Sequence, residues 1–325
     1  MPAPPDDSAP RLDAEARRAV PPEPTGAACA DPLETAIRLD AALGEIDWGA
    51  LPAGTERDRV AAPSGELARI SMGPEEGERV VLVPGVTGSK EDFILMMPLF
   101  AAAGYRVESY DMAGQYESTA AGPENLDPPR DRYGLELFTD DLLAVLDAGP
   151  ARTGPAHVLG YSFAGTVAAV VAARRPELFA SLTLLSAPPV AGQSLRRFKK
   201  VGWLSRAVPG RALGTPFVAA LRYNVHRAPA HRAVFVRARL ELTRASSVGD
   251  ILALMKRTPD YADALRATGL PLLVAAGTGD VWPAQTHLAF AERLGAQPLI
   301  LPTGHSPCET APHQLTEAML RLMRG

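Results

Sequence analysis

The sequence predicts an α/β protein: a mostly parallel, roughly eight-stranded twisted sheet with helices on both faces and an inserted group of helices. Three observations predict it. Short β-branched runs recur between longer helical patterns: "RVVLVPG" (79–85), "YRVESYD" (105–111), "AHVLGYS" (156–162), "SLTLLSA" (181–187), "LPLLVAAG" (270–277) and "QPLILPTG" (297–304). Strands that alternate with helices require crossover connections, and crossovers give a parallel sheet. The runs are apolar throughout, as burial on both faces demands. Ahead of them, "RDRVAAPSGELARISMG" (57–73) places a Pro-Ser-Gly turn between two strand-like halves, so an antiparallel hairpin is expected to begin the sheet.

Residues 1–32 are rich in Pro, Ala and charge without an apolar period, which reads as a flexible tail unable to offset its ordering entropy. The first part of the core is expected over 33–187 and the second over 263–325. Between Ser186 and Thr268 the alternation breaks, and "RRFKKVGWLSRAVPG" and "HRAVFVRARLELTRASSVGDILALMKR" show helical spacing. Helices inserted there would overhang the carboxyl edge of the sheet, where α/β folds keep their ligand sites.

The chain is 46% hydrophobic and 22% charged, which excludes wholesale disorder. No window reaches the roughly 18 apolar residues of a membrane span, and "MPAPPDDSAP" lacks the order of a secretion signal. With only Cys29 and Cys308, a disulfide framework is not expected, and a cytoplasmic location is. No metal-ligand cluster or dinucleotide fingerprint occurs, so neither a metal nor a cofactor is expected, and nor is a nucleic-acid partner. Charge is unevenly placed: residues 190–262 carry 14 Lys/Arg, Arg196, Arg197, Lys199 and Lys200 among them, against Glu241, Asp250 and Asp260. The excess could draw in an anionic substrate, or it could be a set of solvated helix faces.

The stretch "VLGYSFAGTVAAV" (158–170) carries the chemistry. Gly160-Tyr161-Ser162-Phe163-Ala164 joins a buried strand to a helix through a turn tight enough to need small residues two positions either side of Ser162. The hydroxyl would then stand proud of the sheet, beside the backbone N–H groups of a new helix. A serine is a poor nucleophile without a base and a group that orients the base. His305 is the candidate base, in the loop past the last strand. His157 lies on the wrong edge of the sheet, His226 and His231 fall in the insertion, His313 in the terminal helix, and His287 in the helix beginning near Pro283. Asp280 follows the penultimate strand in "AAGTGDVWPA", 25 residues before His305, which puts the two on adjacent strand ends. Alone, each would be an ordinary surface or capping residue. Acyl transfer also needs donors for an oxyanion, and the N–H groups of Val86 in "LVPGVTGSKEDF" and Phe163 after the serine are the expected pair.

With "PGVTGS", "DMAGQYES", "GYSFAG" and the pair "GTGDVWP"/"TGHSP" in this order, the chain from about residue 57 onward resembles the α/β-hydrolase family. The resemblance implies Ser162 as nucleophile, His305 as base, Asp280 as its orienting acid, and residues 188–262 as a mobile cap. Two departures stand out. Pro84 replaces a common His before Gly85, and Gln115-Tyr116 replace a His-Gly pair; Asp111 resembles a structural turn residue. The family implies a serine hydrolase of a carboxylic ester or related small acyl substrate. Thioester cleavage, acyl transfer or C–C hydrolysis on an anionic substrate are alternatives, as is a ligand-binding receptor of the same fold. Oligomeric state is open.

Overall fold

The computed structural model describes residues 31–148, 154–194, 212, 214–223 and 229–325. Helix α1 (Pro32–Ala41) leads to a hairpin of β1 (Glu56–Ala62) and β2 (Gly65–Met72). Then follow β3 (Arg79–Val83), α2 (Met97–Ala102), β4 (Arg106–Tyr110), α3 (Leu135–Asp147), β5 (Ala156–Tyr161), α4 (Phe163–Arg174) and β6 (Phe179–Leu185). The inserted helices are α5 (Gly214–Arg222), α6 (Ala230–Leu242) and α7 (Ala245–Met255). Helix α8 (Ala262–Ala267) returns the chain to β7 (Leu272–Gly277), α9 (Ala284–Leu294), β8 (Gln297–Leu301), α10 (Pro307–Thr310) and α11 (Pro312–Arg324).

The eight strands lie in the order β1-β2-β4-β3-β5-β6-β7-β8. Only the β1/β2 and β2/β4 pairs are antiparallel. Each strand predicted from an apolar run is present with its ends moved by at most three residues: β3, β4, β5 and β8 stop one to three residues earlier than the run, β6 begins and ends two residues earlier, and β7 begins two residues later. Side chains alternate between two cores, as the two-residue period requires: Val81 and Val83 face α3 and α4, while Val80 and Leu82 face α2 and α11. Helix α4 is buried over Phe163–Ala172, which explains its Ala, Gly and Val content; only short side chains let it lie this close to the sheet.

Asp31 belongs to the folded body, since its carboxylate accepts the Leu33 N–H at 3.0 Å and caps α1. Asp40, at the other end of α1, accepts the N–H groups of His313 and Gln314 at the start of α11. Residues 1–30 of the expected tail lie outside the described residues, as do Arg196, Arg197, Lys199 and Lys200.

Two arginines of the basic segment turn inward. Arg232 and Arg239 of α6 are buried and both bind Asp92 Oδ1, at 2.6 and 2.5 Å; Arg232 also binds Glu309 at 2.5 Å and lies 4.2 Å from the Trp48 ring. Arg244 pairs with Glu124. Part of the sequence's charge asymmetry is therefore cancelled inside the fold. These pairs also anchor α6 to the body, because removing one partner of a buried pair strands the other, at about 3–5 kcal/mol.

Asp141 of α3 ties the hairpin turn to the core, accepting from the Ser64 N–H at 3.1 Å and the Ser64 hydroxyl at 2.7 Å. Burial pushes its carboxyl from an ordinary 3.8 up to about 7, outweighing the Ser64 bonds that act to lower it. The folded state thus holds a proton that the unfolded chain releases, so this stability is full below pH 4 and is lost as pH rises through 7. Asp141→Asn keeps both Ser64 contacts without the ionisation. It should be more stable than the parent at pH 8 by about 2–4 kcal/mol, with the gap closing toward pH 4, as read by denaturant unfolding at each pH.

Candidate active site

Ser162 occupies a left-handed backbone position, φ 54° and ψ −122°, between the end of β5 and the first turn of α4. Such a conformation costs about 1–3 kcal/mol for a residue with a Cβ and persists only where the surroundings fix it. Here the Ser162 N–H donates to Leu185 O at 2.8 Å, and the Gly165 N–H donates to Ser162 O at 2.9 Å. Glycine is obligatory on both sides of the turn. A Cβ on Gly160 would lie 2.6 Å from Ala164 O, and one on Gly165 would lie 2.5 Å from the Ala187 Cβ.

Asp280 and His305 reach the serine from the carboxyl ends of β7 and β8, the second and third strands beyond β5 in the sheet. His305 Nε2 is 3.3 Å from Ser162 Oγ, and His305 Nδ1 is 2.7 Å from Asp280 Oδ1. The two loops fix each other: Thr278 N–H donates to Leu301 O and Gly279 N–H to Thr303 O, both at 2.8 Å. Gly277 permits this approach, since a Cβ there would stand 2.0 Å from Gly304 O. The Tyr161 hydroxyl, beside the serine, meets Ser306 Oγ at 2.8 Å and so links the serine turn to the histidine loop. Asp280 is fully buried, whereas the His305 side chain keeps 29% of its surface accessible. Burial alone would raise the Asp280 carboxyl; the imidazoles of His287 and His305 outweigh it and hold the group well below the usual carboxylate range.

The other histidines sit elsewhere. His157 is buried against Ser181 Oγ at 2.8 Å, and His313 binds Asp40. His231 lies near Glu45, and His226 is outside the described residues. His287 differs from the sequence reading: it is on α9 as expected, yet its Nε2 lies 3.2 Å from Asp280 Oδ2. Helical spacing alone did not reveal that this face of α9 turns toward the acid.

The loop carrying Val86 passes directly over the serine, and a Cβ on Gly85 would fall 2.9 Å from the Ser162 Cβ. Among the described residues, neither the Val86 N–H nor the Phe163 N–H has a hydrogen-bond partner. The bracing lost with Pro84 comes from Gln115, whose Oε1 accepts the Thr87 N–H at 2.6 Å and supports Thr87 at φ 60°. Asp111 completes the support: it accepts the Lys90 N–H at 2.8 Å and the Lys90 ammonium at 3.0 Å. Burial raises its carboxyl to about 7 against the pull of Lys90. Sequence reading singled out Gln115 only as a departure; its carbonyl is part of the loop's support.

Residues 78–225 match the family model described as the alpha/beta hydrolase fold, a stretch that includes Val86 and Ser162 and ends before Asp280 and His305. A Variovorax paradoxus protein bearing the name of a carbamate hydrolase, RutD, is 32% identical over 115 residues, 35% of this chain and 40% of that protein. A non-heme chloroperoxidase of Streptomyces lividans is 32% identical over 123 residues, 38% of this chain and 41% of its own. The chain thus spans about two-fifths of these curated relatives. An esterase structure from Thermogutta terrifontis, described as malate bound, superposes with a TM-score of 0.60 at 23% identity, over 83% of this chain and 98% of that one. At that identity the likeness speaks for the fold alone.

Removing the Gln115 carbonyl strands a buried N–H in the Val86 loop, which costs about 1–3 kcal/mol. Gln115→Ala should therefore lower stability by that amount in urea unfolding. Labelling of Ser162 by a fluorophosphonate should slow in the same variant.

Proposed function

We propose that this chain, a member of the α/β-hydrolase fold family, is a serine hydrolase that cleaves a carboxylic ester or related small acyl substrate through an acyl-enzyme. The observation that carries the proposal is the relay Ser162 Oγ to His305 Nε2 (3.3 Å) and His305 Nδ1 to Asp280 Oδ1 (2.7 Å), set on a strained turn. The first distance is long for a hydrogen bond, as such contacts often are before substrate binds.

In this reading Ser162 Oγ attacks the acyl carbon while His305 Nε2 takes its proton. Asp280 stays ionised, stabilises the resulting imidazolium and keeps the Nδ1–H tautomer. The negative charge that forms on the carbonyl oxygen is met by the N–H groups of Val86 and Phe163, with the first turn of α4 contributing its dipole. His305 returns the proton to the leaving group, and water repeats the sequence to release the acid. Residues 188–262, with α5–α7, act as the cap that shapes the acyl pocket. Arg232 and Arg239 of α6 are taken up by Asp92 and Glu309, which leaves Arg237 as the exposed arginine of that helix and favours a neutral acyl substrate over recruitment of an anionic one by α6.

The test uses short-chain p-nitrophenyl esters and fluorophosphonate labelling. Ser162→Ala should lose both, with kcat falling about 10⁴-fold or more to the residual rate that binding and oxyanion donors supply. His305→Ala should be nearly as damaging, and Asp280→Asn severe but less complete. Wild-type turnover in Ser162→Ala would overturn the proposal. An unlabelled parent chain that still binds small ligands tightly would mark a receptor.

A further inference from the structure

Asp280 is a fully buried carboxylate with an imidazole at each oxygen. Oδ1 meets His305 Nδ1 at 2.7 Å, and Oδ2 faces His287 Nε2 at 3.2 Å. Neither Asp280 Oδ2 nor His287 Nε2 has a well-aligned hydrogen-bond partner, and both are shut off from solvent. Two buried polar atoms this close either satisfy each other or both stay unsatisfied, and a small rotation of the His287 ring is far cheaper than leaving both bare. That requirement sets the tautomer: His287 carries its hydrogen on Nε2, since a bare nitrogen would oppose a carboxylate lone pair.

The ring's surroundings leave it little freedom. The Trp282 indole stands edge-on to His287 at 6.2 Å and tilted to His305 at 5.9 Å, so one buried aromatic packs near both imidazoles. The Trp282 N–H donates to Ser194 O at 3.0 Å, which fixes the indole in turn. His287 itself stands one turn inside α9, a rigid element packed on β7 and β8.

We infer that His287 is a positioning residue for the reaction proposed above: its Nε2–H holds Asp280 Oδ2 and thereby sets the plane in which Oδ1 is presented to His305. The inference rests on the serine-hydrolase reading of Ser162, His305 and Asp280. The physical need is plain, because rotation of a carboxylate about its final bond is soft. With one oxygen held, the group can swing out of the imidazole plane. With both held, it cannot.

The test compares two substitutions of similar reach and flexibility that differ in one property: His287→Gln keeps an N–H donor and His287→Met has none. The full chain is used, with kcat and KM measured on a short-chain p-nitrophenyl ester and melting followed in parallel. His287→Met should lower kcat by about 10–100-fold, the range typical of groups that orient an active-site ligand from behind, with KM within about twofold. His287→Gln should recover most of that loss. A purely structural histidine would lower the melting temperature in both variants and leave kcat of the folded fraction unchanged, and that result would overturn the inference. So would equal loss of kcat in both variants at normal melting temperature. If His287→Met does not fold, His287→Gln decides: kcat within about fivefold of the parent supports the donor role, and a loss as large as the 10–100-fold range refutes it. Ser162→Ala, run beside them, separates the two levels. Activity in Ser162→Ala overturns the hydrolase reading itself, whereas an inactive Ser162→Ala with a fully active His287→Met overturns only the role of His287.

Discussion

The backbone turn at Ser162 is the constraint on which the rest of the site depends, because a serine at φ 54° is held there only by close packing on every side. Gly160 and Gly165 let α4 close against β5 where any Cβ would collide with backbone or with Ala187. Gly85 does the same for the loop that carries Val86. The hydroxyl is thus delivered to the carboxyl edge of a parallel sheet, and other strand ends along that edge, up to β8, deliver the groups it meets. That is the usual consequence of parallel strands with crossover helices: all their carboxyl ends gather along one edge.

The loops at that edge are fixed by one another. Backbone bonds from Thr278 and Gly279 to the loop after β8 hold Asp280 and His305 in register, and Tyr161 with Ser306 ties that pair to the serine turn. The Val86 loop has its own supports in Gln115, Asp111 and Lys90. Through Asp92 it also meets the inserted helices, for Asp92 accepts the Ser89 N–H with Oδ2 at 3.3 Å while Oδ1 takes Arg232 and Arg239. One buried carboxylate therefore joins α6 to the segment that follows Val86. The arrangement gives the basic insertion a role inside the fold: its inward arginines satisfy acids that would otherwise be buried unpaired.

Much of this was legible from the sequence. The six apolar runs and the hairpin appear as strands because buried parallel strands need continuous apolarity and turns need their own residue types, and both are local properties. The order Ser162, Asp280, His305, each just past a strand, was legible for the same reason. The role of Gln115 was not, because its amide meets Thr87 across 28 residues, and nothing in either segment's composition records the other.

What the sequence by itself determined, then, is the fold class and which residues stand at strand ends, since strand period, turn chemistry and helix spacing are written within a few residues of one another. Only the tertiary structure decided which faces meet. It turned Arg232 and Arg239 inward onto Asp92 and set His287 against Asp280 Oδ2. The periodicity of α6 and α9 says which residues share a face of the helix, but the partner opposite that face depends on how crossovers stack the helices on the sheet. That is settled by packing among residues far apart in the chain.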